Sequence, residues 1–192
     1  MAASGNGSVM RSMKALAMVV ALALGGCANS YRQELYAVAP EAYHVGSGDR
    51  LRVIVYGQDG LSNSYSVDAT GQISLPLVGF VPVNGMTTQG VEKALEARLR
   101  NGYIREPRVS CEVEAYRPFF ILGEVTTSGQ YPFVNGMTVQ NAVAIAGGFT
   151  PRGYQGGVTL TRVIDGQQVT GDVPVTAPIR PGDTVVVRER FF

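Results

Sequence analysis

Four carboxylates and one imidazole are the groups of this chain whose types and spacing can be asked to do acid–base chemistry. Glu112 and Glu114 stand two apart in "VSCEVEAY", and Asp49 and Asp68 fall in the glycine-containing stretches "GSGD" and "DATG". Paired carboxylates can divide the roles of acid and nucleophile in cleaving a glycosidic bond. Here the spacing argues the other way. Glu112 and Glu114 share the outward face of an alternating strand and the two aspartates lie in turns, so all four read as solvated carboxylates. His44 is the chain's only histidine. It has no cysteine or carboxylate at metal-ligand spacing and reads as structural or solvated. No serine sits in a nucleophile elbow. The glycine-rich "GGFTPRGYQGG" of residues 147 to 157 lacks the lysine of a phosphate-binding loop and follows a helix where such a loop precedes one. The expectation is a protein that is not an enzyme and uses neither cofactor nor metal.

Aromatic residues offer binding rather than reaction chemistry. Tyr116, Phe119, Phe120, Tyr131 and Phe133 gather within one short stretch. Such rings can stack on sugars or pack between subunits, and core packing is the other reading of each. No residue is assigned to substrate on sequence grounds.

The elements that must position these groups announce themselves through a repeat. The pentapeptide VNGMT occurs at Val83 to Thr87 and again at Val134 to Thr138. Asn-Gly after an alternating run is a tight-turn signal. Each following threonine suits a helix N-cap. Beyond it come apolar residues at helical spacing: Val91, Ala94, Leu95 and Leu99 in the first copy, Val139, Ala142, Val143 and Ala146 in the second. The spacing predicts a helix over about 88 to 100, with Met86 and Val91 placed as a hydrophobic staple, and a second helix ending at Gly147-Gly148.

Charge excludes one class of partner. Sixteen basic residues stand against fifteen acidic ones, with no basic stripe, so nucleic acid is not expected. Hydrophobic residues make up 45% of the 192, enough for real cores. The amino terminus is a separate object: Arg11 and Lys14 precede an apolar run from Ala15 to Leu24, about half the ~20 residues that a spanning helix needs. It reads as a secretory signal, with Met10 or Met13 as alternative starts. Leu24-Gly25-Gly26-Cys27 resembles a bacterial lipoprotein lipobox, which implies lipid on Cys27. Ala28 after that cysteine, by the same resemblance, implies the outer membrane. Cys111 alternates with Val109 and Val113 and reads as a small buried strand residue with no disulfide partner.

Residues 1 to 27 are thus expected as the signal peptide and 28 to 42 as a tether. Two small α+β units follow, at 43 to 116 and 117 to 192, each a mostly antiparallel sheet with one capped helix, the second a β-grasp. "SYSVDATGQISLPLVGFVPV" reads as two strands around the turn at Asp68 to Gly71, and Arg117-Pro118 as the joint between units. A second echo, "SGDRLRVIVY" at 47 to 56 against "PGDTVVVRER" at 181 to 190, stands in a different order relative to VNGMT, so simple tandem duplication does not explain it.

"YHVGSGDRLRVIVYG" with "VDATGQISLPLVGFVPVNGMT" resembles the export domain of the outer-membrane polysaccharide export proteins of capsule and exopolysaccharide secretion. "GEVTTSGQYPFVNGMTVQNAVAIAGGF" resembles their soluble-ligand-binding β-grasp (SLBB) domain. Ser128 stands where relatives commonly carry proline. The resemblance implies a lipidated homo-oligomer on the periplasmic face of the outer membrane, ringed around a polysaccharide chain and coupled to an inner-membrane polysaccharide co-polymerase. Larger members add a C-terminal pore helix, whereas "VVVRERFF" follows a strand, so a separate outer-membrane channel is expected. A lipid-anchored polysaccharide-binding module that lines no conduit is the alternative, and a polysaccharide-processing enzyme the outsider.

Overall fold

The computed structural model describes residues 42 to 164 and 166 to 190. The expected signal segment, Cys27 and the tether as far as residue 41 lie outside the described residues.

Leu51, Val53 and Val55 alternate with Arg50, Arg52 and Ile54 along β1 (Arg50–Val55), and the first three are buried. This period of two aims one face at a core. β1 is the centre of a three-stranded antiparallel sheet, flanked by β2 (Asn63–Ser66) and β5 (Val109–Ala115). β3 (Gln72–Leu75) and β4 (Gly79–Pro82) form a separate two-stranded hairpin. The stretch expected as two strands therefore holds three, and the two around the turn at 68 to 71 belong to different sheets. The break is Pro76-Leu77-Val78, where Leu77 adopts a φ of 69°.

Helix α1 (Thr88–Arg100) buries Val91, Leu95 and Leu99 completely. Their i, i+4, i+8 spacing makes one stripe, which joins Leu51, Val53, Ile73, Leu75 and Val81 in a single core. At roughly 1.5–3 kcal/mol for each fully buried Val or Leu, that stripe is what holds the helix. Cys111 is buried in the same core, as its alternation predicts. Burial, then Glu92 and Glu112, pushes its thiol up to about 11.

The second half builds one five-stranded sheet from β6 (Phe119–Gly123), β7 (Gly129–Tyr131), β8 (Val158–Ile164), β9 (Gln167–Val173) and β10 (Thr184–Val187). The order is β7-β6-β10-β8-β9. β10 runs parallel to β6, and the other pairings are antiparallel. Helix α2 (Val139–Ile145) buries Val139, Ala142 and Val143. The fold is α+β, as the sequence leads one to expect.

Both copies of VNGMT fold alike. The glycines sit at φ 75° and 82°. Thr87 Oγ1 accepts from Gly90 N at 3.2 Å. Thr138 Oγ1 accepts from Asn141 N at 3.4 Å while Thr138 N donates back to the Asn141 side chain at 3.0 Å, a reciprocal capping box.

The second echo also acquires a physical account. Gly46-Ser47-Gly48-Asp49 leads into β1 and Arg180-Pro181-Gly182-Asp183 into β10. In both, the aspartate N–H donates to the carbonyl three residues back at 3.1 Å, across a glycine at φ +92° or +85°. Each aspartate carboxylate accepts from the N–H three residues back, Gly46 at 2.8 Å and Arg180 at 2.6 Å. Each also pairs with an arginine: Asp49 with Arg117 at 3.3 Å, Asp183 with Arg162 at 2.7 Å. One turn is thus used twice to launch a strand beneath a buried carboxylate. Arg117, which connects β5 to β6, touches both turns, since its Nε donates to Pro181 O at 3.2 Å. Asp49 is correspondingly not the solvated carboxylate expected, being 0% exposed. Burial there is tolerable because Tyr43, Gly46 and Arg117 together donate four hydrogen bonds to it.

Candidate functional site

The expected acid–base groups do not converge. His44 is exposed, Glu112 and Glu114 are exposed, and Glu112 lies 3.9 Å from Arg52. Asp68 is solvated and organises its own turn. The Thr70 hydroxyl, then the Gln72 and Thr70 N–H groups, donate to it and hold its carboxyl below the usual range. Among the described residues no three His, Cys, Asp or Glu side chains cluster as a metal site.

Of the five aromatics, most are spent on packing. Tyr116 stands edge-on between Tyr43 and Phe133, with ring centroids 4.8 and 5.5 Å away. Phe119 is buried and stacks on Tyr131 at 6.0 Å. Phe120 alone turns outward fully, because its neighbours on β6, Phe119 and Ile121, take the inward positions of the pleat.

Phe120 stands on the outward face of the five-stranded sheet. Strand register sets Gln130, Phe120, Thr184, Thr161 and Thr170 opposite one another in a row across all five strands. A second row on the same face runs Leu122, Val186, Thr159 and Asp172. At about 4.8 Å per strand the first row spans roughly 19 Å. Thr161 and Thr170 share a hydrogen bond of 2.9 Å between their hydroxyls, and Thr159 donates to Asp172 at 2.9 Å. Arg188 donates to the same carboxylate at 2.9 Å and lies 5.6 Å over the Tyr154 ring. Hydroxyl and amide groups beside a half-exposed aromatic and aliphatic pair can bind a polymer rich in hydroxyls. The one carboxylate of the two rows, Asp172, is engaged by Thr159 and Arg188. The signal of the rows in the sequence is the alternation of Thr159 and Thr161 with Val158 and Leu160. The row itself is invisible there, because it is assembled from strands whose order differs from chain order.

Two families match the chain in tandem. Residues 37–114 match the family described as polysaccharide biosynthesis/export protein, and residues 118–173 match the SLBB domain. The chain is 33% identical over 145 residues to the exopolysaccharide production protein ExoF of Rhizobium meliloti (strain 1021). That alignment takes in 69% of this chain and 32% of the relative, so the chain spans about a third of the relative's length. Among the described residues, no helix is long and apolar enough to cross a membrane. The chain belongs to the polysaccharide export protein family.

Proposed function

We propose that the protein serves the export of an exopolysaccharide or capsular polysaccharide through the cell envelope, as a subunit that handles the polymer without altering its bonds. The observation that carries this reading is the tandem match of an export family and an SLBB domain on one chain. The threonine and glutamine side chains ordered beside Phe120 and Leu122 supply a surface for passing a sugar chain, and a conduit needs only that: many weak contacts and no bond chemistry.

In this reading residues 1 to 27 are a cleaved signal and Cys27 carries lipid that holds the protein to the periplasmic face of the outer membrane. Two or more acyl chains would hold it stably where one is marginal. Residues 28 to 42 form the tether, 43 to 116 the export domain and 117 to 192 the β-grasp. Copies assemble into a ring that receives polymer from an inner-membrane co-polymerase and delivers it to a separate outer-membrane channel.

The test is deletion of the gene with measurement of surface polysaccharide, complemented by the native gene and by a Cys27→Ser gene. Native complementation should restore the polymer and Cys27→Ser should not. Normal surface polymer in the deletion strain would remove the export role. A second reading, a lipid-anchored binding module outside any conduit, is favoured by the row from Gln130 to Thr170, which is complete across all five strands of a single chain. The size of the lipidated protein in mild detergent separates the two, a closed oligomer supporting the ring and a monomer the module.

A further inference from the structure

In the second half, arginines are committed. Arg117, Arg152, Arg162 and Arg188 each pair with a carboxylate. The end of α1 is different. Arg98, Arg100, Arg105 and Arg108 are all exposed and none has a partner among the described residues. The acids beside these four are Glu106, in the same stretch, and Glu96, whose carboxylate accepts from Val109 N at 3.2 Å, so four positive charges less two negative leave +2 in a chain whose total is +1.

The backbone gathers these groups. Arg98 and Arg100 occupy the last turn of α1. Tyr103 N and Ile104 N both fold back to Leu99 O, at 3.2 and 2.8 Å, curling the loop onto the helix end. Arg108 stands immediately before β5, and its carbonyl accepts from Tyr56 N at 3.0 Å. Two tyrosines complete the patch, Tyr103 at 53% and Tyr56 at 64% exposed. Compensation of the helix dipole explains Arg98 and Arg100. It does not explain Arg105 and Arg108, which lie beyond the helix, or rings left in water.

We infer that this arginine and tyrosine patch docks a polysaccharide bearing carboxylate groups, the choice of polymer resting on the export reading above. A guanidinium presents a rigid fork that fits a planar carboxylate with two parallel hydrogen bonds. An exposed tyrosine ring offers a flat apolar face with a polar tip, suited to a sugar ring carrying hydroxyls. An anionic membrane surface is the less fitting occupant, because the patch presents no exposed phenylalanine, leucine or tryptophan to enter the acyl region. The patch supplies the charge recognition that the nearly neutral rows of the five-stranded sheet lack.

The experiment uses full-length purified protein in detergent micelles, titrated against polygalacturonate, neutral dextran and phosphatidylglycerol nanodiscs. Polygalacturonate should bind, with affinity falling about tenfold or more between about 0.05 and 0.5 M NaCl. The double variant Arg105→Gln/Arg108→Gln should weaken it by roughly tenfold, with an unchanged thermal midpoint and no effect on dextran. Arg50→Gln is the control, an arginine with no carboxylate partner among the described residues and at the opposite end of β1 from Val55 and its partner Val109, and should change nothing. Absent binding, unchanged affinity in the double variant, or binding to the nanodiscs alone overturns the inference. None of these outcomes depends on the deletion phenotype, so the export reading stands or falls separately.

Discussion

The Asp49 carboxylate accepts from the main-chain N–H of Arg117 at 2.8 Å and from its guanidinium at 3.3 Å, across 68 residues of sequence. Arg117 is 31% exposed and Asp49 wholly buried, so the two partners should not be equivalent in substitution. Asp49→Ala strands the Tyr43 hydroxyl, the Gly46 N–H and the Arg117 N–H at once, and should cost about 3–5 kcal/mol in chemical denaturation. Arg117→Ala leaves Asp49 three of its four donors and reaches water with its own side chain removed, so its cost should be smaller. Equal losses would show that the pair, rather than the carboxylate and its donors, sets the stability of the joint.

Gly48 and Gly182 test the equivalence of the two strand-launching turns. Both lie in the left-handed region, where a side chain costs roughly 1–3 kcal/mol. A Cβ at Gly48 would meet Arg117 Cβ at 3.4 Å, whereas one at Gly182 would meet Arg117 Nε at 3.0 Å. Both alanine variants should be destabilised, Gly182→Ala the more, since it also displaces the Nε bond to Pro181. The Gly-Asp echo is plain in the sequence. Its meaning is not, because the arginine that completes each turn comes from a remote strand or joint that no local pattern names.

The helix caps are the opposite case, legible because every participant lies within four residues. Thr87→Ala and Thr138→Ala should each cost about 0.5–2 kcal/mol. Thr138 also organises Asn141, which returns a bond to the Thr138 N–H, so Thr138→Ala should cost more than Thr87→Ala, and Asn141→Ala should recover part of that difference on its own. Denaturation midpoints unchanged in both threonine variants would contradict the capping geometry.

Tyr43 makes stability depend on alkaline pH. Burial, then the hydrogen bond it donates to Asp49 at 2.6 Å, holds its hydroxyl well above the ordinary tyrosine range near 10. A group whose folded value is raised contributes its stability in full below the unfolded value and loses it as pH rises beyond. The native chain should therefore lose stability above about pH 10 more steeply than Tyr43→Phe, whose curve lacks this ionisation. Parallel curves for the two proteins would show that Tyr43 ionises as freely in the fold as outside it.

What the sequence discloses about the candidate surface follows the same division. Alternation tells that Phe120, Thr159 and Thr161 face away from Val158, Leu160 and Ile121. It is silent on strand order, and so on the row from Gln130 to Thr170. Asp49 departs from its sequence expectation for a related reason: a Gly-Asp turn usually leaves its carboxylate in water, and only tertiary packing against Tyr43 and Arg117 closes it off.

The outer edge of β5 carries the last prediction. β5 ends the three-stranded sheet, so every second N–H along it has no strand partner and would be a template for unwanted pairing. Here α1 supplies the acceptors. Glu92 Oε1 accepts from Cys111 N at 2.8 Å and Glu96 Oε1 from Val109 N at 3.2 Å. The match is geometric, since four helix residues rise about 6 Å and two strand residues about 6.7 Å. Glu92→Ala should cost roughly 1–3 kcal/mol by leaving the Cys111 N–H unsatisfied, and Glu92→Gln less, because it keeps an acceptor. Both should also lower the Cys111 thiol from about 11, as Glu92 is the largest contributor after burial, while burial keeps it above the ordinary range. Thiolate absorbance followed against pH separates the two roles: Glu92→Gln should shift the titration yet nearly preserve stability. An unmoved titration would mean that the carboxylate acts on this edge only as a hydrogen-bond acceptor.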